Sequence, residues 1–308
     1  MTYLSVPLAR RLAEAARVLA GAGIEDAPRE ARRLAELALQ ASPAEVFARK
    51  AGPLAPPEEA AFARLVAARA ARVPFARLAG EREFWSLSFR LNAATLVPRP
   101  ESETLIEAAL ARVRDRSARL RVLDLGTGSG CLLLALLAEL PRATGLGVDA
   151  EPAALACARA NAARLGLARR VRWRRNDWTK ALVGPFDIVL ANPPYVTARE
   201  WQTLEPEVRF YDPKPALVGG RDGLAAYRRI VPRLSRLLGR AGFACLEIGW
   251  RQEGAVCALA RRAGLRVAEI RRDLAGRPRC VVLATAPAKS RSRGRGPKIG
   301  VGKVGNPD

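Results

Sequence analysis

Val122-Leu123-Asp124-Leu125-Gly126-Thr127-Gly128-Ser129-Gly130 is an apolar run that breaks into a glycine loop, and a second apolar run, Cys131 to Ala138, follows directly. Residues 121–125 read as a buried strand ending at Gly126, and the following segment as a helix through Leu140. Strand, glycine loop and helix in that order set the free N–H groups of a helix start beside backbone without side chains, where a ligand can approach closely. A dinucleotide site uses the same parts with the spacing G-x-G-x-x-G. Here the spacing is G-x-G-x-G, which favours S-adenosylmethionine, a ligand with no pyrophosphate to cradle. A plain tight turn is the competing reading. Gly126, Thr127, Gly128, Ser129 and Gly130 are the candidate cofactor loop.

Outward from this loop the pattern repeats. Gly145 to Val148 reads as a second strand, followed by a helix from Pro152 with Leu155, Ala158, Ala162 and Leu165 in register and Gly166 just past its end. Val171 to Arg175, Phe186 to Leu190, Phe243 to Ile248, Leu265 to Ile270 and Cys280 to Ala284 supply further strands, with a helix from about Asp222 to Leu238. Strands alternating with helices from Glu101 onward predict an α/β fold: a seven-stranded, Rossmann-like parallel sheet with helices on both faces. Asp149 ends the second strand, where a carboxylate can accept hydrogen bonds from both hydroxyls of an adenosine ribose; capping the next helix is its alternative role. Asp177-Trp178 follows the third strand. Its acid could reach an adenine amino group, and its indole offers a flat wall or simple packing.

Asn192-Pro193-Pro194-Tyr195 stands just after the apolar strand at 186–190. An amide or aromatic-amine nitrogen is a poor nucleophile because its lone pair is delocalised. To attack a sulfonium methyl, such an NH₂ must be held with its lone pair turned toward the carbon. Two fixed acceptors achieve this: the Asn192 side-chain oxygen and the Pro193 backbone carbonyl. Consecutive prolines stiffen the turn and carry no N–H, and Tyr195 offers an apolar face for a planar group. Methyl transfer then rests on proximity and electrostatics and needs no strong general base.

That requirement agrees with the composition. The 308 residues contain no histidine, which excludes a Ser-His-Asp triad, a Cys-His pair, an imidazole base and every histidine-containing metal site. Five cysteines, none spaced C-x-x-C, imply neither a disulfide framework nor a zinc site, and all but Cys280 sit in surroundings that predict a small buried thiol. The net charge is +22, with 46 arginines against six lysines. A solvated surface and an anionic partner such as RNA both account for it. No signal peptide or membrane span is legible, so the chain is expected to be cytoplasmic, with no membrane partner.

Residues 1–73 read as helices alone. Leu8, Leu12, Ala15 and Leu19 share one face, Pro28 opens a second helix, Ser42-Pro43 a third, and Pro56-Pro57 a fourth that carries Phe62, Leu65, Val66 and Arg69. This bundle is either a substrate-recognition domain or a stabilising module. Residues 74–100 form a linker with a hairpin at Glu83-Phe84-Trp85 and Ser88-Phe89-Arg90-Leu91, and 101–285 form the catalytic domain. The tail, 286–308, is basic and glycine-rich and predicts disorder.

Several segments together resemble release-factor glutamine methyltransferases of the HemK/PrmC type. They are the glycine loop, Asn192 to Tyr195, Gly80 to Trp85, Leu96 to Thr104, Glu205 to Leu224, Glu247-Ile248-Gly249 with Gln252, and Asp273 to Arg279. The resemblance covers residues 1 to about 285. It implies a helical N-terminal domain, a hairpin linker and a seven-stranded methyltransferase domain that takes S-adenosylmethionine and no metal. The implied substrate is the glutamine of the Gly-Gly-Gln motif in peptide-chain release factors. By position, Gly126 to Gly130, Asp149, Trp178 and Asn192 would bind the cofactor, with Pro98, Arg99, Pro100 and Glu101 nearby. Asn192, Pro193, Pro194 and Tyr195 would hold the glutamine amide, and Asn192 and Pro193 would be catalytic. Ser102 departs from the family's threonine, and Phe75 to Ala79 matches poorly. A monomer is expected, with nucleic acid not required as substrate. The alternative is an N-methyltransferase acting on an exocyclic amino group of adenine or guanine in DNA or RNA.

Overall fold

The computed structural model describes residues 6–285, so the expected basic tail, 286–308, lies outside the described residues. Helix α1 (Leu8–Gly21) buries Leu8, Leu12, Ala15 and Leu19, a single stripe at helical period. Helix α2 (Ala27–Leu39) buries Ala27, Ala31, Leu34 and Ala35, and α3 (Pro43–Ala48) starts with a reciprocal Ser42–Glu45 capping box. Helix α4 (Pro56–Ala70) adds Phe62 and Val66 to the core these helices share.

The next segment corrects the linker expectation in two places. Phe75–Ala79 forms a short helix, α5, which ends at Gly80 in the left-handed region. The hairpin strands are β1 (Glu81–Phe84) and β2 (Leu87–Arg90), so Trp85 lies in the turn and not in a strand. Trp85 and Ser86 both have positive φ, +53° and +57°, the two-residue turn whose twist matches that of the flanking strands. Hydrogen bonds compensate the unfavourable backbone: Trp85 donates its N–H to Glu103 Oε1 at 2.8 Å and its indole Nε1–H to Glu139 Oε1 at 2.9 Å.

The remaining elements run α6 (Glu103–Arg112), β3 (Arg121–Leu125), α7 (Cys131–Glu139), β4 (Thr144–Asp149), α8 (Pro152–Arg164), β5 (Val171–Arg175) and β6 (Phe186–Ala191). Then come α9 (Pro206–Tyr211), α10 (Lys214–Leu217), α11 (Ala225–Ile230), α12 (Leu234–Leu237), β7 (Leu238–Glu247), α13 (Glu253–Arg262), β8 (Leu265–Arg272) and β9 (Pro278–Thr285). The helix expected over 222–238 is broken, because Pro232 supplies no N–H to an α-helical ladder and residues 231–233 tighten into a 3₁₀ turn.

The seven strands are ordered β5-β4-β3-β6-β7-β9-β8. The expectation of a wholly parallel sheet fails at β9, which runs antiparallel to both β7 and β8. Five residues, 273–277, join β8 to β9, too few for the crossover that a parallel partner requires. Leu132 to Leu137 are all buried, so the apolar run of α7 is a helix enclosed on every side. Among the described residues no helix is long and apolar enough to cross a membrane. Cys157, Cys245, Cys257 and Cys280 are buried and Cys131 is half-buried. Cys280, excepted in the sequence reading, is covered by the core cluster on its face of the sheet, to which α6 contributes Leu105 and Ala109.

Candidate active site

Strand order reverses between β3 and β6, and the crevice at such a switch point lies beyond the C-terminal ends of the strands. A cavity of about 450 Å³ opens there, within the usual size range for small-ligand sites. Gly126, Thr127, Gly128 and Ser129 line one wall of it, together with Asp149 and Trp178; Asn192 and Pro194 line the other. Gly130, Pro193 and Tyr195 are not among the residues that line the cavity.

The glycine wall is held by bonds within the loop and by bonds to the end of the neighbouring strand β4. The N–H groups of Gly126 and Thr127 both donate to the Val148 carbonyl, at 2.9 and 3.0 Å, which ties the loop to the end of β4. Gly128 N–H donates to Asp149 Oδ2 at 2.9 Å, and Glu151 N–H to Oδ1 at 2.9 Å. The capping of α8 belongs to Glu151, whose carboxylate accepts from Ala153 N–H, and not to Asp149. Each oxygen of Asp149 keeps a further lone pair for a ligand hydroxyl. A Cβ on Gly128 would meet nothing within 4 Å, so this position leaves open space at the cavity. A Cβ on Gly130 would instead press on Ala158, Leu134 and Trp173, which shows a packing role.

Trp178, at φ +51°, lays its indole 3.1 Å from where a Gly126 side chain would begin, and Asn176 Nδ2–H holds its carbonyl at 2.7 Å. Asp177 lines the cavity, but its carboxylate is ion-paired with Arg229 and half in solvent. Beneath the loop Asp124 is buried. Thr127 Oγ1–H donates to its Oδ2 at 2.6 Å, while Oδ1 has no partner among the described residues. Burial, reinforced by the nearby charge of Asp149, pushes Asp124 up to about 7.

The acceptor wall is held by long-range bonds. Asn192 Nδ2–H donates to Ser102 Oγ at 3.1 Å, and Ser102 Oγ–H donates to Glu247 Oε2 at 2.5 Å. Tyr195 O–H donates to Glu247 Oε1 at 3.3 Å. Asn192 Oδ1 accepts no bond from a described residue and is not sealed from solvent. Burial pushes Glu247 up to about 7, opposed by the Ser102 hydrogen bond and the Arg279 guanidinium. Burial, with the Glu247 charge beside it, also raises the Tyr195 hydroxyl well above its usual range. The Tyr195 ring packs against the buried cluster around β6 and β7, so its face is not presented to the cavity.

Gln252 fastens this turn from behind. Its Nε2–H donates to the Tyr195 carbonyl at 2.9 Å, while its Oε1 accepts from Gly249 N–H at 3.1 Å. The 219–223 loop presses equally close. A Cβ on Gly219 would lie 2.3 Å from the Pro194 carbonyl oxygen, and one on Gly223 2.2 Å from that of Tyr195.

Two family models match the chain: the PrmC N-terminal domain over residues 11–80 and the Methyltransferase small domain over residues 102–206. The release factor glutamine methyltransferase of Cereibacter sphaeroides is 47% identical over 270 residues, which span 88% of this chain and 95% of that protein. The chain belongs to the release factor glutamine methyltransferase family. The Rhodospirillum rubrum protein of the same name is 43% identical over 292 residues, 95% of this chain and 88% of that protein. Among solved structures, the hMettl16 catalytic domain in complex with the MAT2A 3′UTR hairpin 6 superposes with a TM-score of 0.54 at 18% identity, over 71% of this chain and 80% of that one. That likeness concerns the fold alone.

In this member of the family, several residues that matter at the site had no role assigned from sequence. Ser102 and Glu247 are two. Asp212 is a third: its carboxylate, 1% exposed, accepts from Arg77 Nη2–H at 2.8 Å and from Val97 N–H at 3.3 Å, and also pairs with Arg99. Arg99 and Pro98 line the cavity; Pro100 and Glu101 do not. Asp212 therefore links α5, the 97–99 strand of chain and the 212–216 wall. The only signal for these residues was their place in segments shared with the family. A second bracket joins the N-terminal helices to α9: Arg69 pairs with both Glu30 and Glu207, and Arg72 with Glu207.

Proposed function

We propose that this chain transfers the methyl group of S-adenosylmethionine to the side-chain amide nitrogen of the glutamine in the Gly-Gly-Gln motif of peptide-chain release factors. The observation that carries the reading is Asn192, which lines the same cavity as the glycine loop and whose Oδ1 has no hydrogen-bond partner among the described residues. The cavity residues fit the donor: Gly128 leaves room for its amino-acid portion, Asp149 has lone pairs for ribose hydroxyls, and Trp178 offers a flat face. When bound, the donor supplies an electrophilic methyl on a sulfonium sulfur, which keeps the electron pair of the broken S–C bond.

The chain's own residues position the acceptor. Asn192 Oδ1 accepts one N–H of the substrate amide from within the cavity, and the Pro193 carbonyl, next to it in the turn though outside the cavity lining, accepts the other as the substrate seats, which leaves the lone pair directed toward the donor. Among the described residues nothing else bonds the Pro193 carbonyl. As the new N–C bond forms, positive charge develops on nitrogen and both acceptors stabilise it. The amide proton then leaves to water, so the absence of histidine is no obstacle.

The test is transfer of labelled methyl from S-adenosylmethionine to a release factor and to a variant whose Gly-Gly-Gln glutamine is replaced. Label should enter the first and not the second. Labelling of tRNA, rRNA or DNA with the release factor untouched would overturn the assignment in favour of a nucleobase amine. Such a substrate is cytoplasmic, and we place the enzyme there as a monomer, which light scattering of the purified protein checks.

A further inference from the structure

We propose that Glu247 and Ser102 are positioning residues that set which way the Asn192 amide faces. The inference rests on the acceptor role of Asn192 given above. An asparagine amide can turn over about its last torsion with almost no change of shape, which exchanges its oxygen for its NH₂. Only one orientation serves the reaction. With Oδ1 toward the cavity it accepts a substrate N–H; with NH₂ toward the cavity, two donors would meet and repel.

The polarity of the bonds behind Asn192 selects between them. An ionised carboxylate only accepts. Ser102 has one hydroxyl proton, and Glu247 Oε2 takes it at 2.5 Å. The Ser102 oxygen then presents only lone pairs to Asn192, 3.1 Å away, and only the NH₂ end can satisfy them. Tyr195 O–H occupies the other carboxylate oxygen, so two donors from different segments hold Glu247 in place. Glu247 and Ser102 are 1% and 3% exposed, so little of either is open to water from the cavity that Ser102 borders.

The relay depends on the charge of Glu247. The groups facing it are Arg279 and the Cys280 thiol from β9, Glu101 beside Ser102, the Cys131 thiol from α7, and the phenols of Tyr195 and Tyr227. When Glu247 is protonated it gains a donor that can point at Ser102 Oγ. The Ser102 hydroxyl is then released to donate to Asn192 Oδ1, which favours the unproductive orientation. Glu247 being pushed up to about 7, turnover should fall as pH drops through that region, while affinity for the methyl donor should not.

The experiment compares Ser102→Ala, Ser102→Thr, Ser102→Val and Glu247→Gln in full-length protein. It measures kcat on the release factor from pH 5.5 to 9 and the Kd of S-adenosylmethionine by calorimetry. Ser102→Ala should lower kcat about tenfold or more with the Kd kept within about twofold. Ser102→Thr should restore turnover; Ser102→Val, which fills the same space without a hydroxyl, should not. Glu247→Gln, which does not ionise, should lose the rise in kcat around pH 7. Given a wild type that labels the release factor, equal turnover by the Thr and Val variants would overturn the positioning role alone. So would a rise around pH 7 that persists in Glu247→Gln. A wild type inactive on the release factor but active on a nucleobase would overturn the substrate assignment, and the same variants would then be scored on that substrate.

Discussion

The two walls of the cavity differ in how far along the chain their parts lie. On the glycine side, Thr127 bonds Asp124 three residues away and Gly128 bonds Asp149, at the end of the adjacent strand, 21 residues away. On the acceptor side, Asn192 bonds Ser102 across 90 residues, and Ser102 bonds Glu247 across 145. A buried carboxylate pushed up to about 7 lies behind each wall, Asp124 in the first and Glu247 in the second. The first wall is complete within one strand-loop-helix unit and the adjacent strand β4. The second exists only once β6 and β7 are paired and α6 is packed beside them. Donor binding should therefore depend on the first βαβ unit, and acceptor alignment on assembly of the whole sheet.

Asn192→Ala tests that division most severely. It should reduce methyl transfer by about 100-fold or more, the scale of losing a preorganised polar partner in a dry site. Affinity for S-adenosylmethionine, measured by calorimetry, should stay within a few-fold because the glycine wall is untouched. Transfer that survives within a few-fold would dissolve the distinction between the walls.

The next effect comes from the loop that braces the acceptor turn. Gly223 sits at φ +74°, and a Cβ there would meet the Tyr195 carbonyl oxygen at 2.2 Å, a backbone atom that cannot swing aside. Gly223→Ala should cost about 1–3 kcal/mol of stability, the range for overpacking, and lower kcat more than donor affinity. Thermal melting and the two kinetic measurements check it. Equal losses of donor affinity and turnover would mean that the walls are not independent.

Legibility followed the same divide. The strand at 121–125, the glycine loop, Asp149 and the Asn192 turn were all readable, because each is a short pattern whose chemistry is complete within a few residues. Ser102 and Glu247 were visible only as members of shared segments, since a serine before a helix and a glutamate at a strand end have many ordinary uses. Their meaning comes from a contact that no local pattern encodes. The antiparallel β9 was missed for a related reason: its continuous apolar run does not state its direction, and only the five-residue link to β8 does. The capping role weighed for Asp149 as an alternative falls to Glu151, a choice between neighbours that periodicity cannot make.

The buried carboxylates give stability and turnover opposite pH dependences. Asp124 moves from an ordinary value of 3.8 up to about 7 on folding, and Glu247 from 4.5 up to about 7. Between those limits the native state keeps protons that the unfolded chain has released, so their contribution is greatest below about pH 4 and is lost as pH rises through 7. Asp124→Asn should flatten the fall in melting temperature between pH 5 and 8 without altering the pH dependence of turnover. Glu247→Gln should flatten both. A variant of Asp124 that shifts the turnover profile would show that the two carboxylates act as one unit.

The smallest effect should come from outside both walls, at the bracket between the N-terminal helices and α9. Arg69, 11% exposed, pairs with Glu30 and Glu207 at 2.9 and 3.1 Å. Arg72 still pairs with Glu207 when Arg69 is removed, so that carboxylate keeps one of its two cations. Arg69→Ala should therefore cost only about 1 kcal/mol, above an exposed pair and below a buried one left without a partner. Helix α9 leads through Asp212 to the cavity wall at Pro213, so KM for the release factor should rise while kcat and donor affinity hold. A fall in kcat equal to that of Gly223→Ala would extend the acceptor wall into the N-terminal helices. An unchanged KM would confine the bracket to stability and leave substrate docking to other surfaces.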